Sequence, residues 1–260
     1  MKLYLKYVYY LMKSQLQYKA SFAMSALTQF IMPFALIAGI YFLFERFGSI
    51  QGWTRYEVFM CYAVIGISFA ASECFARGFD KFSDMIRTAS FDQILTRPRG
   101  TVLQVLGSGF DIKRIGHFVQ GTLVLVVAIV GADIAWDFTR VIMLMNMLIG
   151  GSIIFSGVYM LQAAAAFWTV EALEVANIFT HGIKEHASYP LNIFPRWITA
   201  FFTFIIPFGT INYLPLQYLL GKTDGNGWLY AFLPLMGALF ILPCILVWKI
   251  GVRKYSSAGS

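Results

Sequence analysis

Six long stretches of apolar residues are the feature of this 260-residue sequence that most restricts its fold. A helix needs about 20 predominantly apolar residues to cross the hydrocarbon core of a bilayer. Hydrophobic residues make up 58% of the chain and charged residues only 13%, whereas soluble domains carry about 25% charged residues. The sequence therefore predicts an all-α polytopic membrane protein, with a single domain over 1–260. The six predicted spans are 22–44, 57–76, 115–134, 140–168, 197–216 and 228–249.

The distribution of Lys and Arg between the connecting loops predicts the orientation of these spans. Cytoplasmic loops of membrane proteins are enriched in both residues. With the N-terminus inside, the inner segments hold 16 of the 20 basic residues, and Lys184 and Arg196 are among them. The outer side keeps Arg46, Arg55, Arg140 and Lys222. We therefore expect a multi-pass protein of the cell (plasma) membrane with both termini cytoplasmic. The net charge of +7 then faces anionic lipid, and no nucleic-acid partner is needed to explain it.

Residues 2–19 precede the first span and predict an amphipathic helix on the membrane surface. One face of this helix would carry Lys2, Lys6, Lys13 and Gln17. The opposite face would carry Leu3, Tyr7, Leu11 and Tyr18. Lysine and tyrosine suit the headgroup region of a bilayer. The alternative, a continuation of the first span, would place lysines in hydrocarbon.

Ionisable residues within the predicted spans are few, and this disfavours two classes of function. Such residues usually mark functional sites, but the predicted spans contain almost none at mid-depth, and Glu73 lies in the last turns of the second span, near the cytoplasm. An ion-coupled carrier would need buried carboxylates. A membrane-embedded lipid-modifying enzyme would need convergent acids and histidines, and Glu171, Glu174, His181 and His186 form the only such group. The two histidines are five residues apart, not at the spacing of ligands on one helical face. We therefore predict no catalytic residues and no metal site.

Gly221-Lys222-Thr223 resembles the end of a phosphate-binding loop, but the rest of that motif is missing. The motif needs a glycine five residues before the Gly-Lys pair, and Leu216 stands there. We expect a turn at this position and no nucleotide site on this chain.

The longest predicted cytoplasmic loop, 77–114, contains a short amphipathic helix. Ser90 and Gln93 have the spacing of a capping box, and Pro98 ends the helix. The apolar face would consist of Phe91, Ile94 and Leu95. Such a helix is suited to a groove on another protein. The alternative is a helix that lies on the membrane or against its own chain.

Two stretches resemble a known family. The sequence ASFDQILTRPRG, residues 89–100, resembles the first cytoplasmic loop of type-2 ABC exporter permeases, although Ser90 stands where that family often has glycine. The sequence YPLNIFPRWITAFFTFIIPFGTINYLPLQYLLG, residues 189–221, is similar to the Tyr-Pro, Ile-Pro-Phe and Tyr-x-Pro pattern of a six-helix subgroup of these permeases.

The resemblance implies a transport subunit and not an enzyme. Such a permease pairs with a second permease, identical or related, and works with two cytoplasmic ATP-binding subunits. ATP and magnesium would bind to those partners, so no cofactor is expected on this chain. The resemblance assigns ATPase docking to Ser90, Phe91, Asp92, Ile94, Leu95, Arg97, Pro98 and Arg99. A second cytoplasmic contact is expected at Glu171 and Glu174.

Six of the eight prolines lie in the last third of the chain. Interrupted helices occur in membranes where the backbone lines a cavity or packs against protein. The family implies that the segment before the last helix partly re-enters the membrane from outside, and we place this feature at 211–221. Its predicted residues are Pro207, Asn212, Tyr213 and Pro215. The alternative is proline kinks without a transport role. An aromatic wall with few charges suits export of an amphipathic, lipid-linked or drug-like substrate.

Overall fold

The computed structural model describes residues 2–169 and 173–256, with side chains for 4–169 and 180–256. Regular structure in these ranges is helical, apart from an isolated bridge between Ile50 and Trp53. The α-helices are α1 Lys2–Gln17, α2 Lys19–Ile31, α3 Phe34–Phe47, α4 Arg55–Asp80, α5 Phe82–Arg87, α6 Phe91–Leu95, α7 Thr101–Ser108, α8 Ile115–Gly131, α9 Phe138–Ala165, α10 Leu173–Ala187, α11 Arg196–Ala200, α12 Leu214–Leu219, α13 Gly227–Ala238 and α14 Ile241–Lys254.

Within the described residues, five helical stretches are long and apolar enough to cross a membrane. They are Lys19–Phe47, Arg55–Arg87, Ile112–Gly131, Phe138–Ala165 and Gly227–Lys254. These stretches confirm the all-α polytopic fold and agree with five of the six predicted spans. The remaining predicted span, 197–216, falls on two helical limbs, Arg196–Ile205 and Phe208–Leu219, which meet at an angle of 81°.

Helix α4 is the centre of the bundle and packs against both α8 and α9. It begins at a capping box, in which the backbone N–H of Thr54 donates to the Glu57 carboxylate at 2.7 Å. Phe69, midway along the helix, is buried against Phe155 of α9, with ring centroids 5.1 Å apart. We name the two ends of the bundle after nearby residues. The Trp53 end is where α4 begins, and the Arg97 end is where α4 ends.

Helix α1 lies across the Arg97 end, as expected of an interfacial helix. The side-chain amide of Gln15 bonds to both sides of the turn before α8, donating to the Phe110 carbonyl at 2.7 Å and accepting from the Ile112 N–H at 3.1 Å. The Tyr4 hydroxyl donates to the Phe75 carbonyl at 3.1 Å. Burial raises the pKa of Tyr4 to about 12.

Close contact between α4 and α7 depends on a glycine. A Cβ atom at Gly78 would overlap the carbonyl oxygen of Val105. The absence of a side chain therefore lets the short α7 pack directly on the last turn of α4. This contact holds the segment between α4 and α8 against the Arg97 end of the bundle.

Between α9 and α13 the chain crosses the bundle through α10. The sequence predicts this crossing at 197–216, so the predicted topology is corrected here. Near the Arg97 end, the Thr180 hydroxyl donates to Gln162 of α9 at 2.7 Å. At the Trp53 end, the Trp53 indole donates to Asn192 at 3.0 Å. The chain has therefore traversed the bundle before the bent pair of limbs begins. Sequence analysis missed this crossing because α10 carries several ionisable residues.

The corrected topology changes the positions of two basic residues. Arg196 lies at the Trp53 end, close to Asn192, and Lys184 lies between the two ends. Fourteen of the 20 basic residues remain at the Arg97 end, together with α1 and Tyr255. The charge asymmetry is therefore retained with the new crossing.

Candidate coupling surface and re-entrant segment

The predicted loop helix is present as α6, but the predicted capping box is not. Ser90 has helical dihedral angles and makes no side-chain cap. Its hydroxyl instead lies 3.0 Å from the Thr88 hydroxyl and 3.4 Å from the Met85 carbonyl oxygen. The turn before α6 is made by Ala89, with a φ of +54°. This left-handed residue is directly before the position where the resembled permeases often have glycine.

The apolar face of α6 packs on its own chain, contrary to the prediction that it would fill a partner's groove. Phe91 is fully buried and Ile94 is 9% exposed. The rings around Phe91 have centroid distances of 4.9 to 6.4 Å, and they belong to Phe82, Phe167, Trp248 and Tyr255. We call these five residues the aromatic cage. A helix of five residues has little stability of its own, so its order depends on such packing.

Hydrogen bonds hold α6 and the following turn in place. Asp92 accepts from the Tyr255 hydroxyl at 2.9 Å, which ties the start of α6 to the end of α14. The side-chain amide of Gln104 donates to the carbonyls of Ile94 at 3.2 Å and of Arg99 at 3.0 Å. Both ends of the 94–99 turn are therefore fixed to α7.

The exposed part of the predicted site is the end of α6 and the turn beyond it. Leu95 is 41% exposed, and Arg97, Pro98 and Arg99 are exposed as well. One guanidinium N–H of Arg97 donates to the Tyr7 hydroxyl of α1 at 3.2 Å. We call Leu95, Arg97, Pro98 and Arg99 the coupling surface. They present two cations beside the apolar side chains of Leu95 and Pro98, on a backbone that the bonds to Gln104 hold in place.

The second predicted cytoplasmic contact, at Glu171 and Glu174, falls on side chains outside the described part of the chain. Glu171 lies outside the described residues. Glu174 lies within α10, but its side chain is likewise outside the described part. The contact at these two glutamates stays a prediction.

The bent pair of limbs forms a re-entrant segment that enters and leaves at the Trp53 end. Midway, Phe208 lies 4.7 Å from the ring of Phe155 on α9. On its return, Tyr218 stacks on Tyr230 of α13 with centroids 5.0 Å apart. The turn beyond is held by Lys222, whose ammonium lies 2.8 Å from the Glu57 carboxylate. The segment thus reaches the interior without crossing the bundle.

The predicted residues of the re-entrant segment have separate structural roles. Pro207 lies at the bend, and Ile206 before it is extended, as is usual for a residue preceding proline. Asn212 is buried and donates to the carbonyls of Ala187 at 2.8 Å and Cys61 at 3.3 Å. It thereby joins the segment to α10 and α4.

The other two predicted residues lie on the returning limb. Pro215 is buried in the first turn of α12, where the lack of an N–H is tolerated. The Tyr213 ring lies 6.5 Å from Trp53. This contact places the start of α12 near the Trp53 end.

A buried ionic cluster joins α4 to α8, and sequence analysis missed its extent. One carboxylate oxygen of Glu73 lies 3.2 Å from Arg114 and 3.7 Å from Arg77. Arg114 also donates to Gln29 of α2 at 3.1 Å. The Glu73–Arg77 pair has the i,i+4 spacing of a helical ion pair, but Arg114 is remote in sequence. A carboxylate paired with two guanidiniums resembles a structural ion pair more than the binding site of an ion-coupled carrier.

The histidines of α10 do not converge on a common centre. The His181 ring packs against Phe69 at 5.7 Å. The His186 ring stacks near Phe202 at 6.1 Å, and its Nδ1 lies 2.8 Å from the Gly182 carbonyl oxygen. This arrangement gives no support to a lipid-modifying active site at these two residues.

Residues 30–259 match the family model described as ABC-2 family transporter protein. This match covers most of the sequence. The chain belongs to the ABC-2 transporter family. A search of curated proteins gave no match. The chain is therefore a membrane permease of an ABC transporter, a transport subunit of the kind that associates with ATP-binding subunits.

Proposed function

We propose that this ABC-2 permease exports an amphipathic, lipid-linked or drug-like substrate across the plasma membrane. Two cytoplasmic ATP-binding subunits would bind ATP and magnesium and drive the transport. A second permease, identical or related, would complete the membrane part. The observation that carries the proposal is the coupling surface, which projects from the most basic end of the bundle.

The orientation follows from charge. Fourteen of the 20 basic residues lie at the Arg97 end, and the enrichment of Lys and Arg in cytoplasmic loops supports a cytoplasmic location for that end. The coupling surface then faces the compartment that contains ATP. The re-entrant segment enters from the opposite side, as the family resemblance implies.

The coupling surface has the chemistry of a small docking site. Burial of the exposed part of Leu95 would contribute no more than about 1.5 kcal/mol. Arg97 and Arg99 would lie at the rim, where charges mainly affect association rate and salt sensitivity. Docking at this turn alone is therefore weak, and a stable complex needs further contacts at the Arg97 end.

Replacement of Leu95 by aspartate tests the proposal. Ile94 is unsuitable for the same test because it is buried in the permease itself. We expect Leu95→Asp to reduce the amount of ATP-binding subunit that co-purifies in mild detergent, because it places a charge at the apolar centre of the docking site. The melting temperature of the permease should remain unchanged, since Leu95 is exposed.

A matched control is available on α1. Leu16 is 40% exposed and lies at the same end of the bundle, outside the coupling surface. Leu16→Asp should retain the ATP-binding subunits. If Leu95→Asp retained them equally well, the turn at 95–99 would not be a docking site. If neither variant nor the wild type co-purified with an ATPase, the partner assignment would be wrong.

A further inference from the structure

Helix α10 places charged groups at membrane depth. Phe69 lies about 21 Å along α4 from Arg55, at 1.5 Å per residue, and therefore within a hydrocarbon core about 30 Å thick. Lys184 places its ammonium 5.1 Å from the centre of the Phe69 ring, and His181 packs against the same ring. These residues of α10 therefore lie deep in the bundle and not in a surface loop.

Glu185 lies at a similar depth and is partly exposed. It is one turn beyond His181 in the direction of the Trp53 end, and its side chain is 47% exposed. Its carboxylate forms an ion pair with the Lys184 ammonium at 3.7 Å, and Lys184 is only 12% exposed because it is turned towards α4. An exposed carboxylate in contact with lipid is unfavourable by about 2.5–3.5 kcal/mol on insertion scales. This face of α10 is therefore expected to face a hydrated pathway and not acyl chains.

An apolar groove lies beside this carboxylate. It has a volume of about 420 Å³, within the range of sites for small molecules. Ile183 and His186 line one wall, and Trp197, Phe201 and Phe202 of the re-entrant segment line the other. Gly182 also lines the groove, and Glu185 is its i+3 neighbour on the same helix. Residues at this spacing are adjacent on a helix surface, so Glu185 lies one helical turn from a residue of the groove wall.

We propose that the groove and Glu185 together bind an amphipathic cation. The apolar body of the ligand would occupy the aromatic groove, and its positive group would pair with the Glu185 carboxylate. Aromatic faces also attract cations, which adds to the preference for positive charge. This assignment rests on the proposed export function and specifies the class of substrate.

Tetraphenylphosphonium and tetraphenylborate provide a matched test, because they are similar in size and opposite in charge. Binding of each would be measured by equilibrium dialysis against the full-length permease in nanodiscs, with empty nanodiscs to correct for partition into lipid. We expect the phosphonium to bind and the borate not to. Glu185→Gln should weaken phosphonium binding about tenfold, because a partly solvated charge pair is lost.

Two controls make the result specific. Glu45 is an exposed carboxylate on α3, and Glu45→Gln should leave phosphonium binding unchanged. Trp197→Ala should weaken phosphonium binding through loss of the groove wall. Equal binding of both ions would mean an apolar groove that takes lipid-like bodies without selecting charge. Equal binding of both ions would overturn the proposal. So would the absence of phosphonium binding, or phosphonium binding that Glu185→Gln leaves unchanged. If the permease still co-purified with its ATPase, only the substrate class would be withdrawn.

Discussion

Truncation of Phe91 to alanine distinguishes two roles for this side chain. Phe91 either anchors the 94–99 turn to its own chain or docks into a partner. Phe91 is fully buried, and four aromatic rings lie within 6.4 Å of its ring. Phe→Ala substitutions in packed cores cost about 3–5 kcal/mol, because the removed ring leaves a cavity. The cage residues come from separate parts of the chain, including α5 and α14, so we do not expect them to collapse together and fill it.

The predicted loss is large enough to measure by thermal unfolding. In a domain of 150–250 residues, 1 kcal/mol corresponds to about 2–4 °C in melting temperature. Phe91→Ala should therefore melt about 10 °C below the wild type in the same detergent. Phe75→Ala is the control, because Phe75 is 51% exposed, and it should melt within about 2 °C of the wild type. A Phe91→Ala variant with wild-type melting but without bound ATPase would refute the cage and restore Phe91 as a docking residue.

Two further substitutions test other parts of the structure. Ala89→Gly should raise the melting temperature by about 2–4 °C, because a left-handed alanine is disfavoured by about 1 kcal/mol; a lower melting temperature would contradict this conformation. Asn212→Ala should destabilise the chain by about 2–3 kcal/mol, because two buried carbonyls lose their donor. Limited proteolysis of Asn212→Ala should cut the segment 196–219 faster than in the wild type, and an unchanged rate would mean that this residue does not hold the re-entrant segment.

Most of the membrane-spanning helices could be predicted from sequence because the requirement for a span is local. A stretch of about 20 apolar residues satisfies the bilayer whatever its neighbours are. Helix α10 could not be found in this way. Lys184 and Glu185 lower its hydropathy, and packing of Lys184 against Phe69 makes the helix acceptable within the bundle. Its crossing is evident only from the contact of Thr180 with α9 near the Arg97 end and from the contact of Asn192, just beyond the helix, with Trp53.

Helix α6 shows why an amphipathic pattern does not identify the surface on which a helix packs. Phe91, Ile94 and Leu95 have helical spacing whether their partner is another protein or the same chain. The aromatic cage is formed by residues as remote in sequence as Trp248 and Tyr255. The sequence thus predicted a short helix at the right place, whereas the direction of its apolar face depended on tertiary contacts. The same limit applies to Glu73, whose partner Arg114 lies on the following span.

The aromatic cage behind the 94–99 turn and the re-entrant segment are connected through the closely packed helices α14 and α13. Phe91 packs on Trp248 of α14, and α14 continues from α13. A Cβ atom at Gly237 of α13 would overlap the Thr210 hydroxyl of the re-entrant segment, so the absence of a side chain at Gly237 allows this close packing. Close-packed interiors transmit displacement because they compress little. Helices α14 and α13 therefore link the aromatic cage to the re-entrant segment through direct packing contacts.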